Sequence, residues 1–145
     1  NPISGDIWTH EHGPKGGDEV NILQKGANYG WPLASYGIDY NGDTITQDTF
    51  VAGTELPVYY WIPSIAPCGM SFYNADSIPQ WKGNLFLGAL AGKHVNRLIL
   101  SQNKVLEEQR LLQNMARFRA VKAGDDGYLY MVTEQPGMLL RFQPE

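Results

Sequence analysis

The amino-acid sequence predicts an all-β protein. Short runs rich in Val, Ile, Tyr, Phe and Trp recur along the whole chain, glycine- and proline-bearing turn signals separate them, and no segment sustains a helical spacing of apolar residues. Sixteen glycines, nine prolines, eight tyrosines and four tryptophans in 145 residues supply the turns and the broad, strand-forming side chains. Pattern alone admits a sandwich, a barrel or a propeller, and recurrent aromatic-rich hairpins lean towards the propeller.

Asp6-Ile7-Trp8-Thr9-His10, bounded by Gly5 and Gly13, reads as the first strand. Residues 19–23 alternate polar and apolar as a half-buried strand does, and Lys25-Gly26-Ala27-Asn28 breaks the run. Asn28-Tyr29-Gly30-Trp31 lays two aromatics beside a glycine, with Trp31 expected in the core. From 33 to 56 the sequence is polar and turn-rich, with Asn41-Gly42 as its strongest turn signal; a loop this long is expected to serve function or an interface. Pro57-Val58-Tyr59-Tyr60-Trp61-Ile62 is the most strand-like run, ended by Pro63 and Pro67. Strands then follow at 68–73, 84–90 and 94–100; Ser101-Gln102-Asn103-Lys104 turns back into another from Val105, which Leu111-Leu112 continues. Residues 118–121, 128–133 and 138–142 are the last three, separated by Asp125-Asp126-Gly127 and Gln135-Pro136-Gly137, which brings the total to roughly ten.

Composition narrows the function classes. A 43% hydrophobic share against 18% charged argues for a packed core and against disorder. The net charge of -4 and pI near 5.3 disfavour nucleic acid, whose phosphates need a basic face. No apolar run reaches the length of a membrane span. Cys68 is the single cysteine, so no intrachain disulfide forms. The chain opens at Asn1 without an initiator Met or a signal peptide and reads as a portion of a longer protein.

The densest chemistry lies between His10 and Pro32. His10, Glu11, His12, Asp18 and Glu19 surround two forced turns, Gly13-Pro14 and Gly16-Gly17, where glycines let carbonyl oxygens point at a common centre. Carboxylate and carbonyl oxygens are what Ca²⁺ or Mg²⁺ selects, although the spacing is not that of a twelve-residue EF-hand loop. The residues alone leave two readings open: a cation-binding turn, or a tight hairpin whose Asp18 caps a turn and whose Glu19 is solvated.

Three linked motifs then carry a resemblance. Glu11-His12-Gly13-Pro14, Gly17-Asp18-Glu19-Val20-Asn21 and Asn28-Tyr29-Gly30-Trp31-Pro32 resemble the signature of the soluble sugar dehydrogenases that depend on pyrroloquinoline quinone (PQQ), the glucose/sorbosone dehydrogenase family. The similarity continues through Gly88-Ala89-Leu90-Ala91-Gly92, Arg117-Phe118-Arg119 and Asp126-Gly127-Tyr128-Leu129-Tyr130, covers almost the whole chain and is strongest towards the aldose sugar dehydrogenase branch. It implies a six-bladed β-propeller. Six blades of four strands need far more strands than these, so residues 1–145 are expected to form a C-terminal portion of a single propeller domain, somewhat over two blades of four-stranded antiparallel sheet. The missing neighbours leave apolar faces and an open edge, to be covered by the remaining blades or by self-association.

The resemblance also implies the chemistry: PQQ- and calcium-dependent oxidation of an aldose to its lactone, with hydride passing from sugar C1 to the quinone and on to an electron acceptor. By motif, the carbonyls of Gly13 and Pro14 hold the calcium that anchors the cofactor, while Glu19 and the Tyr29 backbone hold a further calcium. Tyr40 lies where relatives place a tyrosine near the quinone, its alternative being a loop aromatic that covers an edge. Ala89, Leu90 and Ala91 form the cofactor rim, and Arg117 and Arg119, two positions apart on a strand, present forks of donors to its carboxylates, with Phe118 between them facing the other way to pack. The chain departs from some relatives at Ala91, where a lysine would contact the quinone; Lys93 is the nearby substitute. The family's catalytic histidine falls upstream of anything here. His10 and His12 are expected to order the turn, His94 has no motif partner, and no catalytic residue is assigned. Family members are usually exported to the bacterial periplasm, so the resemblance implies a periplasmic or secreted protein. The competing reading is a non-enzymatic, calcium-ordered binding propeller, against which the arginine pair and the Gly13-Pro14 turn weigh. A calcium-dependent hydrolase lacks its nucleophile-and-base motif.

Overall fold

The computed structural model describes residues 1–143, in which ten strands form three antiparallel sheets, each an up-and-down run of sequence neighbours. The chain divides into two compact units.

In the first unit, chiefly Gly5–Ala66, strands β1 (Trp8–Glu11), β2 (Asp18–Ile22) and β3 (Tyr59–Trp61) pair in that order. The β1–β2 register runs from Trp8↔Ile22 to Glu11↔Glu19, which puts the 12–17 turn at the acidic end of the hairpin. Central β2 is buried along nearly its whole length, and Val20 joins Trp8, Trp61 and Ile65 in this unit's core. The strand expected over 57–62 is trimmed to Tyr59–Trp61, because the prolines on either side have no N–H for a ladder. The long loop forms no strand, yet its backbone is tied down: Ile38 bridges Thr44 and Ser35 N–H donates to the Asp48 carbonyl at 3.0 Å within it, and Glu55 N–H donates to the Asn28 carbonyl ahead of it at 2.8 Å. Tyr36 stacks on Tyr60 with ring centroids 3.8 Å apart, fastening the loop to β3. One expectation is corrected here. Trp31 is 59% exposed, not core, because the turn closed by Ala34 N–H on the Gly30 carbonyl buries Ala34 in its place.

The second unit begins in the main at Pro67. Strands β4 (Pro67–Phe72), β5 (Leu85–Ala89), β6 (His94–Ser101) and β7 (Lys104–Leu111) form a complete four-stranded meander; β8 (Arg117–Ala123), β9 (Leu129–Glu134) and β10 (Leu139–Phe142) form a three-stranded one. The leading strands β4 and β8 pack closely. A Cβ at Gly69 would meet Ala120 Cα at 2.7 Å, one at Gly88 would meet the Phe118 carbonyl oxygen at 2.8 Å, and Ala123 N–H donates to Ser71 Oγ at 3.0 Å. The core gathers Tyr73, Trp81, Phe86, Val95, Phe118, Leu129 and Met131, and fully burying each large side chain contributes about 1.5–3 kcal/mol. A 3-10 turn, Pro79–Trp81, is an element that strand periodicity could not signal; it delivers Trp81 edge-on to Tyr73. Outermost β7 carries Lys104, Glu107, Glu108 and Arg110, charges that discourage pairing along an open edge.

Candidate functional site

The turn between β1 and β2 is built from backbone packed on backbone. The Gly16 carbonyl oxygen occupies the space where a Cβ on Gly13 (1.9 Å) or on Gly37 (2.1 Å) would stand, so no other residue fits at either position. Gly17 N–H donates to the Trp61 carbonyl at 2.8 Å and Lys15 N–H to that of Ile38 at 3.2 Å. Asp18 is wholly buried beneath the turn. Its Oδ1 accepts Gly13 N–H at 2.8 Å; its Oδ2 accepts the N–H groups of Ile65 at 2.7 Å and Ala66 at 2.9 Å; and the Ser64 hydroxyl lies 2.9 and 2.8 Å from the two oxygens. These donors use the carboxylate's acceptor capacity, so Asp18 is not a further oxygen ligand for a cation, and the capping alternative is the one it follows.

Two openings adjoin the turn; Gly13 lines both, Pro14 and Tyr40 only the larger, Glu19 and Tyr29 only the smaller. Gly13 and Pro14 share an open cleft of about 240 Å³ with Tyr40, Trp31, Glu11 and His12. Glu19 and Tyr29 line a cavity of about 40 Å³ with Glu11, Gly13 and Trp31, room for one ion or water. The Tyr29 hydroxyl is engaged, accepting Gln24 N–H at 2.7 Å and donating to the Ile22 carbonyl at 2.9 Å, so only its backbone is left to bind an ion. Among the described residues no cluster of three or more His, Cys, Asp or Glu is poised around a metal, and a cation here must draw on carbonyls.

The electrostatics of the small cavity fit a cation. Glu11 and Glu19 face each other across the hairpin, and like charges directly opposite are unfavourable. The Asn21 amide donates to Glu11 Oε1 at 2.9 Å and Glu19 Oε2 at 3.1 Å. Burial pushes the Glu19 carboxyl up to about 7; the Asn21 bond opposes the shift and Glu11 adds to it. A divalent ion would neutralise the pair. The larger cleft sets the aromatics Trp31 and Tyr40 beside the Gly13-Pro14 backbone, residue types that would suit a flat, carboxylate-bearing quinone and a cation. His10 is half-buried on β1 and held below the usual histidine range, first by burial and then by neighbouring His12.

In the second unit, Arg117 and Arg119 converge on one carboxylate. Arg119 donates to Glu134 Oε2, and Arg117 Nε lies 3.9 Å from the same oxygen. Strand alternation is not the whole cause. The β8–β9 register slips between Phe118 and Ala120, so Arg119 is a bulged residue re-aimed towards Glu134, which pairs with Arg117 across the ladder. Arg117 also donates to the Leu90 carbonyl at 3.4 Å, joining the arginines to the expected rim. Within that rim the side chains of Ala89 and Leu90 are buried and Ala91 is exposed; Lys93 is exposed too. Phe118 has no exposed surface, and its side chain serves packing. Sequence reasoning passed over Glu134, gave Glu11 no ligand role and put Trp31 in the core instead of at a cleft. Counting the hairpin back from Asp125-Asp126-Gly127 would have placed Glu134 near Arg117; nothing local marks Trp31 as a cleft wall.

The sequence pattern described as Glucose / Sorbosone dehydrogenase matches residues 1–141. The chain belongs to the glucose/sorbosone dehydrogenase family. Among curated proteins, the aldose sugar dehydrogenase YliI of Escherichia coli (strain K12) is 51% identical over 148 residues, covering 99% of this chain and 40% of that protein. A solved glucose dehydrogenase superposes with a TM-score of 0.96 at 50% identity, covering 100% of this chain and 43% of the other. The PQQ-bound form of an aldose sugar dehydrogenase from Streptomyces coelicolor superposes with a TM-score of 0.71 at 22% identity, over 97% of this chain and 40% of the other, a likeness of fold. This member of the glucose/sorbosone dehydrogenase family therefore spans about 40% of that aldose sugar dehydrogenase, and its three sheets are part of a β-propeller.

Proposed function

We propose that residues 1–145 are the C-terminal portion of the propeller of a PQQ- and calcium-dependent dehydrogenase that oxidises aldose sugars to lactones. The observation that carries this reading is the Gly13-Pro14 turn, its carbonyl-bearing backbone locked by Asp18 and opening into one cleft with Tyr40 and Trp31. Gly13 and Pro14 would hold the calcium of the cofactor, and Glu19 with the Tyr29 backbone a second calcium. When bound, the cofactor would supply the redox chemistry, a two-electron sink for the hydride of sugar C1 that is emptied to an external electron acceptor. Arg117 and Arg119 would bind the cofactor's carboxylates, Leu90 orients Arg117 through its carbonyl, and Ala89 and Ala91 shape the rim. Phe118 supports the arginines from the core. The proton acceptor for the sugar hydroxyl is not assigned to this chain. By the habit of the family, the protein would act in the periplasm or outside the cell.

Dye reduction by the full-length parent, reconstituted with calcium and PQQ and offered a panel of aldoses with and without chelator, tests the reading. Turnover should require both additions and should fall at least tenfold in R117A or R119A, the loss of one charge-assisted contact. A folded protein that neither binds the quinone nor turns over any aldose would sink the enzyme and leave a calcium-ordered binding propeller.

A further inference from the structure

A buried carboxylate beside a proposed metal site invites the role of ligand, and Asp18 cannot take it. Its oxygens are consumed by three backbone N–H groups and one hydroxyl from two stretches of chain: Gly13 on one side, Ser64, Ile65 and Ala66 on the other. The second stretch is a nest. Consecutive N–H groups of Ile65 and Ala66 converge on Oδ2, and Ala66 stands at φ +50°, a left-handed conformation that alanine seldom adopts unless something holds it. Ser64 Oγ closes the arrangement by accepting Ala66 N–H at 3.1 Å. Asp18 thus ties the Gly13 amide to a turn 46 to 48 residues away in sequence.

The consequence concerns the peptide planes. The Gly13 N–H is fixed by Oδ1 on one side, while the carbonyl that follows is the one proposed to face calcium. Crowding sets the rest of the turn: the Gly16 carbonyl fills the space beside Gly13 and Gly37, so the segment cannot relax by adjusting there. We infer that Asp18 is the positioning residue of the Gly13-Pro14 calcium site, a carboxylate that aims the two carbonyls without touching the ion. The inference rests on the calcium reading above and adds to it which side chain makes the site rigid. Hydrogen bonds behind the ligands of a metal commonly govern its affinity by about 10- to 100-fold.

The test is a calcium titration of the full-length parent, stripped by chelator and free of quinone, followed by calorimetry, with unfolding midpoints recorded in chelator. Wild type should show two classes of site, of which E19Q removes one; the survivor is the Gly13-Pro14 site. D18N places an amide N–H₂ against backbone donors, so it should weaken the surviving class about 10- to 100-fold while leaving the Glu19 class within twofold. S64A removes only the bridging hydroxyl and should weaken the same class less, in a protein that folds. Loss confined to the surviving class, graded from S64A to D18N, supports the positioning role. Calcium affinity unchanged in folded D18N, or in S64A where D18N fails to fold, overturns it. Both classes weakened equally would mark a general structural role and overturn it as well. A wild type that binds no calcium overturns the metal reading itself, and this inference with it.

Discussion

His94 carries its proton on Nδ1, which faces the Gly92 carbonyl at 2.8 Å, and turns Nε2 towards the Asn96 amide at 3.5 Å. His94 is 3% exposed, and burial is the first cause of a pKa held below the ordinary 6.5; the Gly92 bond opposes the shift, Arg110 adds to it and Glu108 works against it. A histidine depressed in the fold stabilises above its unfolded pKa, and that contribution is lost as pH falls through the folded value. The urea midpoint of the full-length parent should therefore exceed that of H94Q by a constant margin above about pH 7, and the margin should shrink as pH drops below 6.5. Midpoints that run parallel from about pH 5 to 8 would contradict it. At the same scale, residue identity alone told Asp18 from Glu19 poorly: both are acids next to a glycine turn. Register separates them. Glu19 faces Glu11 across a cavity and Asp18 faces three amides.

At the scale of the element, β8 does two jobs at once. It offers Phe118 to the core and two arginines to Glu134, and the bulge at Arg119 makes that possible. Truncating Phe118 removes a side chain with no exposed surface, so F118A should cost about 3–5 kcal/mol in urea unfolding of the full-length parent. Gly88 is pressed between the Cys68 carbonyl oxygen, 2.5 Å from its would-be Cβ, and that of Phe118 at 2.8 Å; both are backbone and neither can yield. G88A should cost about 1–3 kcal/mol and lower quinone affinity through the adjoining rim; an unchanged midpoint would show that β4 and β8 can separate. Strand positions were legible because alternation and turn residues are local signals, and all ten lie close to where the pattern put them. The bulges at Gly69 and Arg119 were not legible, since each answers to the strand packed against it.

For the whole molecule, the open edges decide behaviour in solution. Strands β1, β3 and β10 each end a three-stranded sheet, and Ile7, Tyr60, Ile62 and Leu139 are exposed on or beside them. The relatives carry more than half of their length outside the matched part, and further blades would cover such edges; residues 1–145 expressed alone should self-associate and bind a hydrophobic dye, with the full-length parent doing neither through these faces. Monodisperse monomer by sedimentation at tens of micromolar would refute that.

What the sequence determined by itself was the run of strands and the family signature, since turn glycines, alternating apolar positions and linked motifs are written in neighbouring residues. The tertiary structure alone decided which acid faces Glu11 across a cavity and which is buried among amides, that Trp31 lines a cleft while Ala34 goes inside, and that Glu134 gathers the two arginines. Those outcomes depend on partners that are distant in sequence, Ser64 to Ala66 for Asp18 and Glu134 for Arg117 and Arg119. Only a folded chain brings such groups within hydrogen-bonding distance.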